Sequence, residues 1–215
     1  MPDMIRFSEP CRQFRGFQVT DLLTSHGALI GGLLVTCIIT AGTPGPNNFI
    51  VLTARLSDTM AAALRVYLGV CIGFPVMVLV VSLIVAHYGE AIIDQLTIIK
   101  YLGIGFLLYL AVRLFLAAPS ELSGRTGTAP GFIFAFLFQW TNPKAWAMAS
   151  STAVIAGPEL FFLPALIYQI VIFPCVGAWF WFGDLLKRRI LGTPYERYLN
   201  RALAVLLALS VLMMI

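Results

Sequence analysis

Charge is what this chain has least of: 11% of its 215 residues are Asp, Glu, Lys or Arg, against roughly 25% in soluble domains. Together with 60% hydrophobic residues, that scarcity excludes a soluble globule. It leaves a polytopic membrane protein with one membrane domain and no room for a second. The ten carboxylates lie in the N-terminal tail, in loops or at helix ends, with Asp58 and Asp184 nearest the membrane. None stands at mid-span, where a proton-coupled carrier commonly keeps one. The four cysteines (Cys11, Cys37, Cys71, Cys175) are scattered and form no CxxC or Cys/His cluster, so neither a disulfide framework nor a metal site is expected. HExxH, GxSxG, P-loop and dinucleotide fingerprints are all missing, which speaks against intramembrane hydrolysis and ATP-driven transport. The chain is accordingly read as no enzyme, with no cofactor. Its basic residues sit at the ends of apolar segments rather than in an aromatic-laced patch, a placement that suits lipid headgroups and not nucleic acid.

What the chain does have is long apolar runs. A span takes about 20 apolar residues at 1.5 Å rise each, and six segments qualify: Ala28–Ala54, Ala61–Ala86, Ile98–Ala118, Gly131–Ala156, Leu160–Gly183 and Leu199–Ile215. The sixth is short and holds Arg201, which must snorkel to an interface. Residues 1–26 are polar and mixed in charge, without the layout of a cleaved signal peptide. They are read as a tail lying on the surface, with structure expected to begin at Met4 or later. The connections are short and polar: Ser57-Asp58, His87 to Gln95 and Pro119 to Thr128. The longest is the charged stretch from Leu185 to Tyr198.

Two of the runs are broken by proline. The first break is Thr43-Pro44-Gly45-Pro46-Asn47-Asn48 and the second is Thr141-Asn142-Pro143-Lys144; Pro44 and Pro143 are 99 positions apart. Phe74-Pro75 and Phe173-Pro174 repeat the same spacing in two further runs. A shift of that length lays spans 1–3 over spans 4–6. Because three is odd, the second copy enters the membrane from the opposite side, the inverted-repeat plan of many secondary transporters. The expected architecture is therefore all-α: six transmembrane helices as two inverted three-helix repeats, about 27–118 and 129–215, with helices 1 and 4 broken. Nine of the 14 Lys and Arg residues flank the loops after spans 1, 3 and 5. The positive-inside rule then places Lys187-Arg188-Arg189 in the cytoplasm and both termini outside, although the basic tail alone pulls the other way.

A broken helix frees backbone carbonyls that protein, water or ligand must satisfy, and the restarting half-helix offers unpaired N–H groups to an anion. Taken singly, each break reads as a proline kink. Matched, with asparagines on both, they read as a midplane site made of Thr43, Pro44, Gly45, Pro46, Asn47, Asn48, Thr141, Asn142, Pro143 and Lys144. A cation at mid-bilayer costs on the order of 2.5–3.5 kcal/mol by insertion scales, so Lys144 is expected to face the interior. A zwitterionic amino acid would set its carboxylate near Lys144 or a half-helix N-terminus, and its ammonium against freed carbonyls and asparagine oxygens. Gly69 and Gly73 form a GxxxG, read as close contact within the monomer ahead of a homodimer face. The tryptophans Trp140, Trp146, Trp179 and Trp181 are given belt or contact roles.

These residues resemble the LysE/RhtB superfamily of bacterial amino-acid exporters, the lysine-exporter and homoserine/threonine-resistance type. The Thr43–Asn48 stretch is similar to its first-helix signature. Tyr101-Leu102-Gly103 through Tyr109 to Leu114 is similar to its third-helix pattern, and Gly131-Phe132 through Gln139 to Asn142-Pro143-Lys144-Ala145-Trp146 to its fourth-helix signature. The resemblance implies a multi-pass exporter in the bacterial inner membrane, driven by the proton gradient and moving an amino acid or derivative outward by alternating access. Exporters of basic amino acids in this group often carry an aspartate in the second helix, where this chain has Gly73-Phe74-Pro75, so a neutral cargo is expected. Two alternatives stay open at this point: a transmembrane thiol-redox carrier, for which Cys37 has no counterpart in span 4, and an exporter of another small solute.

Overall fold

A computed structural model describes residues 19–57, 59–89, 101, 104–105, 108–109, 111–112, 115–116, 131–190, 193 and 195–212. Most of the third expected span, Ile98–Ala118, lies outside the described residues, as do Arg113, Gly103, Asp58, residues 1–18 and the loop Pro119–Thr128. Every regular element among the described residues is helical. In chain order these are α1 (Val19–Gly42), α2 (Pro46–Ser57), α3 (Met60–Tyr88), α4 (Phe132–Phe138), a 3₁₀ turn at Gln139–Thr141, α5 (Pro143–Ala156), a 3₁₀ turn at Pro158–Leu160, α6 (Leu163–Ile190) and α7 (Glu196–Leu212). Helices α3 and α6 are long and apolar enough to cross a membrane. The pair His26–Gly42 and Pro46–Leu56, bent by 44°, makes a third span if counted as one.

Local chemistry sets the ends. The Thr59 side chain caps α3 by accepting from the Ala62 amide, and Gly89, at φ 76°, closes it. Pro143 opens α5 at the first helical position, where its missing N–H costs nothing, and Gly157 ends it at φ 72°. Lys187, Arg188 and Arg189 fill the last turn of α6, where positive charge meets the carbonyl end of the dipole. The helix α1 begins at Val19, inside the segment read as tail. A non-helical residue, His26 (φ −122°, ψ 15°), marks the point near which the apolar span starts.

Helices α3 and α6 form the centre. Helix α6 packs on α1, α2 and α3, and α3 also carries α4 and α5. At their crossing Phe74 and Tyr168, both fully buried, meet edge to face with ring centroids 4.8 Å apart. The helices run unbroken through Pro75 and Pro174, and the Tyr67 hydroxyl donates to the Phe173 carbonyl beside the second proline (2.9 Å). A Cβ on Gly69 would lie 2.5 Å from the Phe132 carbonyl, and one on Gly73 would lie 2.7 Å from that of Phe136. The GxxxG pair therefore brings α3 against α4 within one chain. Large apolar side chains such as Ile170 and Ile133 point outward, the arrangement a lipid solvent permits.

One boundary moves, and with it the reading of a charge. The fifth span, expected to stop at Gly183, continues as helix to Ile190, which leaves only residues 191–195 where a loop from Leu185 to Tyr198 was expected. Asp184 is thereby inside a helix and buried, ion-paired with the buried Arg55 of α2 and, at 2.9 Å, with Arg188. A hydropathy window ends where charge begins, but mutual neutralisation lets these residues stay inside. Gly183 makes the approach possible: a Cβ there would sit 2.9 Å from the Leu52 carbonyl. Arg201, by contrast, is exposed, with its guanidinium 5.7 Å from the Phe115 ring, as snorkelling requires.

Candidate functional site

The first break is a strip of bare carbonyls. Helix α1 stops at Gly42 and α2 restarts at Pro46, and the two prolines withhold the amides that would have answered the last turn. Side chains answer instead. The Trp179 indole donates to the Gly42 carbonyl at 3.1 Å. The Asn48 amide, buried, donates to the carbonyls of Ala41 (2.9 Å) and Thr43 (2.8 Å).

The Thr43 carbonyl, and that of Pro44 beyond it, are also met from the other half of the chain. Lys144 Nζ reaches the carbonyls of Thr43 and Pro44, each at 3.1 Å, and the Thr43 hydroxyl at 2.8 Å. This is a cation at a helix C-terminus, the favourable end of the dipole. Gly45 makes the space, because a Cβ there would stand 2.8 Å from Lys144 Cδ. All three acceptors are neutral, and among the described residues no carboxylate lies within ion-pair distance of the lysine.

The second break satisfies itself. Gln139–Thr141 tighten into a 3₁₀ turn, and Asn142, extended at φ −91° and ψ 108°, caps α5 by accepting from the Lys144 amide (3.1 Å). Its Nδ2 then crosses to Asn47 Oδ1 at 3.0 Å. Asn47 Nδ2 donates to Gln139 Oε1 (2.7 Å), and Gln139 donates to the Ala135 carbonyl (3.0 Å). This amide chain joins two segments almost a hundred residues apart through the half-buried Asn47 and the buried Asn142 and Gln139, the last fully enclosed.

Of the expected site residues, the structure gathers Thr43, Pro44, Gly45, Asn47, Asn48, Asn142 and Lys144 in one seam, while Pro46 and Pro143 open the two half-helices. Thr141 is not brought in: it is exposed and bonds its own chain at the Phe138 carbonyl. The freed carbonyls expected to await a ligand are held by Lys144 and Asn48. Sequence reasoning assigned no site role to Gln139 and Trp179. The signal available for Gln139 was a lone amide in an otherwise apolar run, three positions before Asn142. Beside the seam lies a narrow cleft with room for about one water molecule, bounded by Pro44 and Gly45 of the break, by α2, by Trp179 and by α7.

Comparison with known proteins gives a consistent result. A family model described as LysE type translocator matches residues 38–214. The cysteine/O-acetylserine efflux protein of Escherichia coli K12 is 28% identical over 189 residues, covering 83% of this chain and 93% of the relative. The protein of the same description from Klebsiella pneumoniae is 29% identical over 191 residues, with the same coverage of each chain. No solved structure matches.

Proposed function

The chain belongs to the LysE type translocator family, and from that premise we propose that it is a secondary exporter of a small neutral amino acid or a close derivative across the bacterial inner membrane. The wider architecture of this reading is one transmembrane domain from about residue 27, with six spans in two inverted halves that rock about the seam between the breaks. The driving force is the proton gradient. The relatives named for cysteine and O-acetylserine efflux support a cargo with an uncharged side chain.

The observation that carries the proposal is the seat of Lys144: an ammonium with no counter-ion among the described residues, held on three neutral oxygens of the opposite break. A zwitterion supplies both halves of an exchange at such a place. Its carboxylate draws Lys144 away by offering the missing counter-charge. Its own ammonium, with three donors, then takes the oxygens of Thr43 and Pro44 that the lysine gives up. Both charged groups are paired throughout, so neither is left desolvated alone. A cargo with only one of the two charges cannot complete the exchange. The Asn142–Asn47–Gln139 amides hold the halves in register while this happens.

The experiment is efflux from proteoliposomes loaded with labelled neutral amino acids, comparing the parent chain with Lys144→Met, Asn47→Ala and Asn142→Ala. All three variants are expected in the membrane at normal abundance with export abolished. If all three export at the parent rate, the seam is not the binding site.

A further inference from the structure

The narrow cleft beside the seam has no place in the exchange of charges just described, and its chemistry differs from that of the seam. Its wall is apolar, built from Phe49 and Leu52 of α2, Trp179 of α6 and leucines of α7 including Leu206. We propose that this cleft is the side-chain subsite of the transporter and that it admits only a short, uncharged side chain, with Leu206 setting the length. This inference rests on the export reading above.

Three observations converge on it. The first is contiguity. Gly45 lines the cleft and also stands against Lys144, whose Cδ and Nζ lie 2.8 and 2.9 Å from where its Cβ would be. An amino acid that replaces the lysine ammonium on the Thr43 and Pro44 carbonyls has its α-carbon one bond from that ammonium, beside Gly45, the residue that the seam and the cleft share, which puts the cleft within reach of its side chain. The second is polarity. The Trp179 indole N–H, the polar group of the wall's side chains, is already committed to the Gly42 carbonyl. A charged or amide side chain would be desolvated there without a partner. The third is size. Space for about one water suits a methyl, hydroxymethyl or thiol group, whereas a branched or longer chain has to displace part of the wall.

The wall nearest to yielding is α7, and Leu206 is its half-buried member. Leu207 is anchored in a cluster with Ile104 and Ala111, and Leu203 in one with Leu52 and Leu56. Trp179 is pinned by its hydrogen bond. Leu206 is thus the side chain whose size can be altered with least disturbance of its surroundings.

The test uses the full chain in proteoliposomes loaded in turn with alanine, serine, cysteine, valine, leucine, aspartate and lysine, with efflux of each followed by mass spectrometry. The parent is expected to favour the first three and to exclude the charged pair. Leu206→Ala is expected to raise the leucine-to-alanine rate ratio about tenfold or more, since one methylene in an apolar pocket is worth about 10–200-fold in discrimination. Leu206→Trp is expected to lower the valine-to-alanine ratio. If a variant fails to insert, Leu206→Val and Leu206→Phe replace the pair and should shift the ratios in the same opposite directions. A parent that transports while every inserted variant keeps its ratios within about twofold overturns the subsite and leaves the export reading standing. A parent that moves none of the seven compounds removes the export reading and the subsite with it.

Discussion

The two helix breaks occupy matching places in the sequence and do opposite work in the structure. The first leaves carbonyls bare and borrows Lys144, Asn48 and Trp179 to cover them. The second covers itself with a 3₁₀ turn and an asparagine cap, and so has a cation and an amide to lend. The halves fit because they differ: the first offers bare backbone carbonyls and the second a lysine to meet them, while the amides of Asn47, Asn142 and Gln139 bond in both directions across the seam. Two identical breaks facing each other would leave acceptors against acceptors, a buried deficit of about 1–3 kcal/mol for each unsatisfied group. Matched spacing in a sequence therefore locates where the two halves meet, while unequal chemistry at the two places is what lets them bond there.

That asymmetry can be attacked from the strongest contact downward. Removing the lent cation has the largest expected effect. Lys144→Met abolishes export and also lowers the thermal midpoint in detergent, whereas Lys144→Arg keeps the charge and retains the fold with export reduced. Equal melting of the parent and the methionine variant would show that the first break does not need the cation.

Next comes the tether that holds α2 in place below the first break. Asp184→Ala strands Arg55 without its buried partner and costs about 3–5 kcal/mol, while the apolar double replacement Arg55→Met with Asp184→Leu recovers most of it. Chemical denaturation in detergent measures both, and a double variant no better than the single would contradict the pairing. The two bridging asparagines should then prove unequal. Asn142→Ala loses one inter-break bond and the α5 cap, the cap being worth about 1 kcal/mol. Asn47→Ala loses both inter-break bonds and leaves the buried Gln139 oxygen unpaired, a cost of about 1–3 kcal/mol, and is expected to be the less stable; the reverse melting order would count against the amide chain. Smallest is Trp179→Phe, which forfeits one hydrogen bond to Gly42 for about 0.5–1.5 kcal/mol and should leave export measurable.

Much of this site is legible in the chain itself, for a definite reason. Pro44-Gly45-Pro46 and Asn142-Pro143 combine proline with a second helix-breaking residue and interrupt their helices, where the lone Pro75 and Pro174 do not, and Asn47, Asn142 and Lys144 are costly to leave unpaired in lipid. What escapes is whatever depends on rotation and on partners far away. Thr141 belongs by proximity in sequence, yet the 3₁₀ turn advances about 120° per residue instead of 100° and leaves it facing outward. Gln139 and Trp179 acquire roles only because α2 and α6 come to rest against the breaks. Arg55 and Asp184, 129 positions apart, each look like a loop charge until the other is seen beside it. Neighbour-by-neighbour reading has no access to such a pair.

The bare backbone at Gly69 and Gly73 has a mechanical corollary. With no side-chain layer between them, α3 and α4 cannot slide or tilt independently without backbone colliding with backbone, so they form a single yoke. Any rocking that opens a path for cargo must then carry α4 along with α3 and find its compliance elsewhere, at the joint between α1 and α2, where the seam is clasped by hydrogen bonds that can be exchanged one at a time.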